Sequence, residues 1–336
     1  MRNLSVLAVL LLMFSCNKKF PYEEGTFPEE KVVNLVELNS EFDDMNSDYN
    51  PPSVDLNLNF IFSSNSESKG QNFDLVAKSL SFNWSKETGN FTYSGNSLNG
   101  GNQSLRNQLF EINSACNERG PYSFRERNSQ KNYLLFSAEC DGITHIVGNE
   151  FELVGPWNAY KSDNFQVRLL CQDANEMYPT LYGENYVKDV VDTQGKPEKL
   201  LFSSNRDGLF NIYEATIPAG KSVIEFLKSQ GEKSITKLPI SSSSNDHMPF
   251  VYGNLLVFAS DRVGGFGGYD LYYSRKSGSE WSEPVNFGPS INSPQDEYRP
   301  VVSSQFGFSN QVMIFSSNRP GGLGGFDLYF VGIPKY

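Results

Sequence analysis

Short apolar runs recur along this chain, set apart by clusters of Gly, Asn, Ser and Asp, and each run has the length and flanks of a β-strand rather than a helix. One motif recurs five times: an apolar residue, Phe, then small residues. Its copies are Ile61-Phe62-Ser63-Ser64, Leu135-Phe136-Ser137-Ala138, Leu201-Phe202-Ser203-Ser204, Val257-Phe258-Ala259-Ser260 and Ile314-Phe315-Ser316-Ser317. An acidic residue three positions before a proline precedes each copy: Asp48 with Pro51, Glu118 with Pro121, Glu176 with Pro179, Asp246 with Pro249 and Glu297 with Pro300. A further apolar pair follows, as in Asp74-Leu75, Asn211-Ile212-Tyr213, Asp270-Leu271-Tyr272 and Asp327-Leu328-Tyr329, with His145-Ile146 holding the place in the second copy.

The Phe-to-Phe spacings are 74, 66, 56 and 57 residues, room for four short strands per unit. The fourth strand is expected around 234–238 and 284–287 in the third and fourth units. Repeated four-stranded units of this length predict an all-β fold, a β-propeller of five four-stranded blades. A sixth blade hidden in one of the insertions is the alternative. The last unit lacks an outer strand, and Val32 to Leu38 is a spare strand pattern ahead of the first unit. An N-terminal strand is therefore expected to complete the last blade and remove its exposed edge.

The run Phe-Ser-Ser-Asn-Arg-x-Gly-Gly-x-Gly-Gly-x-Asp-Leu-Tyr at 315–329, with related copies at 201–213 and 257–272, resembles the TolB-like, WD-repeat-like propeller repeat of Bacteroidota envelope lipoproteins. That resemblance implies a non-enzymatic envelope scaffold that binds a protein or peptide. The N-terminus resembles a bacterial lipoprotein signal: Arg2, an apolar stretch from Leu4 to Phe14 too short to span a bilayer, then Ser15-Cys16. The expected organisation is a signal peptide over 1–15, lipidated Cys16 and a tether over 16–31, and the propeller over 32–336. The resemblance implies a lipid anchor in the outer membrane, and the absence of an acidic run after Cys16 points to the periplasmic face.

Composition narrows the partners. The net charge is −11 and no basic stripe stands out, which argues against nucleic acid. The 26 Phe and 17 Tyr suit pleated, half-buried surfaces. No cofactor motif is present: the glycine pairs at 264–265, 267–268, 321–322 and 324–325 precede a strand, whereas a phosphate cradle needs a helix N-terminus. His145 and His247 have no metal-ligand companions at useful spacing.

The candidate chemistry sits on the repeat. Each acid opens a strand and each Arg follows the Phe by four, so antiparallel pairing should join Glu176 with Arg206, Asp246 with Arg262 and Glu297 with Arg319 as structural ion pairs. Ser66 and Cys140 fill the Arg slot in the first two units. By the same placement Cys116 should lie beside Cys140. A Cys116–Cys140 disulfide is preferred over a bridge to Cys171, with free thiols as the alternative. The leading expectation is thus a protein without catalytic residues. The alternative is a carbohydrate-binding or glycoside-processing propeller with carboxylates at the channel mouth, drawn from Asp48, Glu118, Glu176, Asp246 and Glu297. A catalytic pair, however, should depart from the repeat rather than follow it. Trp84, Trp157 and Trp281 could stack on sugars but more simply pack. Insertions at 85–115, 148–170 and 181–199 are where specificity would be written.

Overall fold

The computed structural model describes residues 21–50, 58–98, 103–126, 129–155, 159–169, 173–188, 195–231 and 233–336. Cys16, Pro51, Trp157 and Cys171 lie outside these residues. After β1 (Val33–Asn34), blade 1 comprises β2 (Asp44–Asn50), β3 (Leu58–Ser64), β4 (Asp74–Trp84) and β5 (Phe91–Ser97). Helix α1 (Gln103–Ile112) leads into blade 2: β6 (Asn117–Phe124), β7 (Asn132–Cys140), β8 (Ile143–Leu153) and β9 (Tyr160–Gln166). Blade 3 holds β10 (Glu176–Tyr182), β11 (Lys199–Ser204), β12 (Asn211–Thr216), then α2 (Val223–Lys228) and β13 (Ile235–Lys237). Blade 4 holds β14 (Asp246–Tyr252), β15 (Leu255–Ser260) and β16 (Asp270–Ser277), flanked by β17 (Glu280–Trp281) and β18 (Val285–Asn286). Blade 5 is β19 (Glu297–Ser304), β20 (Gln311–Ser317) and β21 (Asp327–Ile333), and β1 is its outer strand. The protein is a five-bladed β-propeller, every blade an antiparallel meander.

Each inner strand breaks its ladder at the same place, between Met45 and Asp48, Arg119 and Tyr122, Met177 and Thr180, His247 and Phe250, and Tyr298 and Val301. The bulged residue has positive φ every time: Asn46 55°, Gly120 58°, Tyr178 56°, Met248 58° and Arg299 45°. Such φ values are costly for Tyr, Met and Arg, and hydrogen bonds from the preceding blade hold them. The bulge N–H donates to a serine Oγ of that blade in three cases, Asn46 to Ser316, Tyr178 to Ser137 and Met248 to Ser203, each at 2.9 Å. Blade 4 has Ala259 in that slot, and the Arg299 N–H turns to Met248 Sδ at 3.2 Å.

This register corrects one anchor. The acid that opens blade 1 is Asp44, which faces Ser64 as Glu176 faces Ser204, whereas Asp48 is four residues further on. Ser47 takes the position held elsewhere by Pro121, Pro179, Pro249 and Pro300. The proline is dispensable because the bulge, rather than the ring, sets the strand's course.

Ring closure begins earlier than residue 32. β1 pairs antiparallel with β21, Val33 opposite Phe330 and Asn34 opposite Tyr329. Upstream, Phe27 is fully buried, stacked on Phe308 at 4.1 Å and edge-on to Phe82 at 5.0 Å. Asn310 brackets its backbone, accepting from the Phe27 N–H at 2.9 Å and donating to its carbonyl at 3.0 Å. Residues 21–31 are thus a packed strap across blades 5 and 1, and the tether expected over 16–31 does not extend through them. Phe27→Ala should cost about 3–5 kcal/mol of unfolding free energy, measured by urea denaturation; a loss under about 1 kcal/mol would mean the strap is dispensable to ring closure.

Candidate functional site

The antiparallel order puts the start of every inner strand, the end of every second strand and the start of every third on one face, here called the upper face. The repeat acids lie there. Arg206 pairs with Glu176, Arg262 with Asp246, and Arg319 with Glu297 at 2.8 Å, and the three acid side chains are almost wholly buried. Each guanidinium also lies over two rings of its own blade: Phe202 and Tyr213, Phe258 and Tyr272, or Phe315 and Tyr329, at 4.9 to 5.4 Å. Each Arg Nε donates to the second serine of the motif, Ser204, Ser260 or Ser317. The Phe-Ser-Ser-x-Arg and Tyr positions therefore form one closed unit of packing and charge. Carboxylates bound in this way do not serve as a channel-mouth acid and base.

Blade 2 is built differently. Cys116 and Cys140 are joined by a disulfide, their Cα atoms 5.0 Å apart. Glu118 has no Arg and instead accepts from Ser114 Oγ at 2.6 Å. Burial raises its pKa from 4.5 to about 7, with Asp74 adding to the rise and the Ser114 hydrogen bonds opposing it.

The departures from the repeat gather around the upper mouth of the channel. An arc of rings runs from Phe210, stacked on His247 at 4.1 Å, through Tyr269 to Tyr298, 5.4 Å from Tyr269 and itself stacked on Phe326 at 5.0 Å. Phe210, Tyr269, Tyr298 and Phe326 are half-buried, so their rings are partly open to solvent. Burial, helped by the Arg299 charge, lowers the His247 pKa to about 3, so this imidazole is a neutral ring at physiological pH. Three carboxylates flank the arc. Asp296 accepts from the Tyr269 N–H and Asp43 from the Phe326 N–H, both at 2.8 Å, while Asp261 accepts from Asn245 N–H and Nδ2 at 2.7 and 2.8 Å. None of the three has an ion-pair partner among the described residues. Burial, with Asp261 and Asp296 adding to it, raises the pKa values of Tyr269 and Tyr298. Asp296 is bonded to the Tyr269 backbone and Asp261, through Asn245, to that of Phe210, so both flank the arc. Asn117, Asn175 and Asn245 correspond to Asp43 and Asp296; Asn65, Asn205 and Asn318 correspond to Asp261, whose place in blade 2 is taken by Glu139, paired with Arg119 at 2.8 Å. Aligning the residues beside the anchors would have exposed this Asn-to-Asp signal.

Below the mouth the channel is filled. Arg299 is fully buried and donates to the carbonyls of Pro249 at 2.8 Å and of Pro121 and Pro179 at 3.3 Å, spanning from blade 5 to blades 4, 2 and 3. Lower still, Asp48 pairs with Lys188. No group of three or more His, Cys, Asp or Glu among the described residues could hold a metal ion.

No family model and no curated protein matches the chain. Solved structures do. They include an endo-arabinase from Bacteroides thetaiotaomicron (13% identity, 94% of this chain and 99% of that one, TM-score 0.49). An α-L-arabinofuranosidase from Lactobacillus brevis (9%, 90% and 93%, TM-score 0.49) and a GH43 endo-arabinanase from Bacillus licheniformis (12%, 88% and 96%, TM-score 0.43) are similar too. These are propeller glycoside hydrolases rather than TolB-like repeat proteins. The TolB-like reading is corrected accordingly, and with it the non-enzymatic scaffold and the expectation that the chain is no enzyme. The protein or peptide partner that came with the scaffold has no support in the structure. At such identities the likeness speaks for the fold alone, so the chemistry has to come from the residues.

Among the residues first considered for that chemistry, Glu176, Asp246 and Glu297 are locked to Arg, and Asp48 to Lys188. Glu118 is held by Ser114. Trp84 packs against Tyr22 at 6.2 Å and Trp281 against Tyr182 at 5.8 Å, so neither is a free stacking platform. His145 stands on β8 opposite Ala138. Among the described residues, the upper mouth is where partly open rings meet carboxylates that have no ion-pair partner.

Glu118 gives a pH signature. Below pH 4.5 it is protonated in both the folded and unfolded states. Between there and about 7 the folded protein retains a proton that the unfolded chain releases, so stability falls as pH rises through this window, then levels off. At about 1.4 kcal/mol per pKa unit the loss is about 3 kcal/mol. Glu118→Gln should flatten that part of the curve, measured by chemical denaturation from pH 4.5 to 8; an unchanged slope would overturn the assignment.

Proposed function

We propose that this chain is a carbohydrate-active propeller that takes a glycan on the upper mouth and hydrolyses a glycosidic bond there. The observation that supports this reading most is the coincidence, on one face, of the half-buried Phe210–Tyr269–Tyr298–Phe326 arc with Asp43, Asp261 and Asp296, which carry no paired cation. Sugar rings present flat C–H faces to aromatic rings, and hydrolysis needs one carboxyl group as acid and another as base or nucleophile. Asp296, bonded to the Tyr269 backbone, and Asp261, tied through Asn245 to that of Phe210, flank the arc and are assigned as that pair. Asp296 Oδ1 is fixed by the Tyr269 N–H, while its Oδ2 has no protein partner among the described residues.

The test is reducing-sugar release from a panel of plant and microbial polysaccharides, with binding followed by calorimetry. Asp296→Asn should lower turnover by about 10²–10⁴-fold and leave binding nearly intact. Tyr298→Ala should weaken binding about tenfold, the scale of one aromatic contact. Release unaffected by Asp296→Asn and Asp261→Asn would remove the catalytic assignment, and a chain that neither binds nor cleaves any glycan would remove the reading altogether.

A further inference from the structure

The lower end of the channel holds a second built site, independent of the upper mouth. Asp48 is four residues below the blade 1 acid, where the other inner strands carry Tyr122, Thr180, Phe250 and Val301, so it too departs from the repeat. Its carboxylate is fully buried and oriented by Ser123, whose N–H and Oγ donate to Oδ2 at 2.7 and 2.9 Å. Three rings from three blades surround the remaining space. The Lys188 ammonium lies 4.7 Å from the Tyr49 centroid, 4.3 Å from Tyr122 and 5.8 Å from Phe250, and it pairs with Asp48. Two of the rings are themselves pinned, Tyr49 Oη to the Val302 carbonyl at 2.8 Å and Tyr122 Oη to that of Leu181 at 3.2 Å.

A carboxylate ringed by electron-rich aromatic faces is the chemistry that recognises alkylammonium ions, where the ring quadrupoles and one anion replace water around the cation. Here the cation comes from the chain itself. Lys188 stands in the connection between β10 and β11, which spans 183–198, whereas the same connection in blade 4 is only Gly253-Asn254. The long connection delivers a lysine 140 positions away from Asp48 into the ring's centre. We propose that the lower channel is an alkylammonium-binding site that Lys188 occupies in cis, and that an external lysine-like or quaternary ammonium group enters by displacing it. The strand-borne residues Asp48, Tyr49, Tyr122 and Phe250 form the receptor, while Lys188 comes from the connection between two strands.

Two measurements on the full chain test this. Lys188→Ala empties the cage, and n-butylammonium or tetramethylammonium chloride should then raise its Tm by about 2–4 °C over sodium chloride at equal ionic strength. The double variant Asp48→Asn/Lys188→Ala leaves no unpaired charge and should show no such rise. In the wild-type protein Lys188 is fully buried and should resist acetylation. Adding choline should raise Lys188 acetylation, read by mass spectrometry, about tenfold as the ligand takes over the cage, with surface lysines unchanged. Lys188 that stays unreactive at every choline concentration would make it a fixed strut and overturn the proposal. So would a folded Lys188→Ala variant indifferent to both ammonium ions. The wild-type arm decides the matter even where Lys188→Ala fails to fold.

Discussion

A single side-chain hydrogen bond, made once per blade, holds the ring. The residue just before each inner-strand acid accepts the N–H that opens the third strand of the preceding blade. Asp43 takes Phe326, Asn117 Phe73, Asn175 Thr144, Asn245 Phe210 and Asp296 Tyr269, at 2.8 to 3.0 Å. In four of the five junctions the backbone adds a parallel bond, from the acid's N–H to the carbonyl of the residue so bound. Blades present only side chains to one another across most of their faces, so these bonds fix the angular offset that five copies must share to close. The positive-φ bulges depend on them, since the same junction brings the serine Oγ to the bulge N–H. With the bulges set, Arg299, Asp48 and the ring residues are aimed at the axis.

That constraint divides the molecule. Residues that obey the repeat are consumed by it: acid, Arg, serine and two rings form a unit whose polar atoms face one another. Residues that depart are left over, and they collect at the two ends of the channel. At the upper end Asn becomes Asp where the hydrogen-bond role needs only an acceptor oxygen, so the junction survives and a carboxylate is gained. At the lower end a position that is apolar or Thr elsewhere becomes Asp48, and its burial is tolerable because Lys188 arrives to neutralise it. An unpaired buried carboxylate would be strongly destabilising.

Much of the fold was legible because a propeller writes its period along the chain. The Phe-Ser copies, the third-strand pairs, the closing strand near Val33 and the nearness of Cys116 to Cys140 follow from local pattern and antiparallel pairing. The acid of the first blade was misplaced for an equally physical cause: a proline follows the acid by three in four blades and served as the anchor, so Asp48 near Pro51 masked Asp44. The strap at Phe27 was missed because a lone aromatic among Pro, Gly and Glu has no period, and only the hollow between Phe308 and Phe82 gives it a place. The TolB-like resemblance rested on those same repeat residues, which report how a blade is packed and carry little about what the ring binds.

The sequence by itself determined the strand class, the blade count, the order of strands and the pairing of each acid with its Arg, since these involve neighbours within one unit and repeat with it. Only the tertiary structure decided which residues meet at the axis. Positive φ at Tyr178, Met248 and Arg299 is not a property those residue types announce. Lys188 and Asp48 are brought together by closure of the whole ring, as are the mouth residues of blades 1, 4 and 5. Contacts across the centre of a propeller depend on the angle between blades, and that angle is set by junction hydrogen bonds with no counterpart in the hydrophobic pattern.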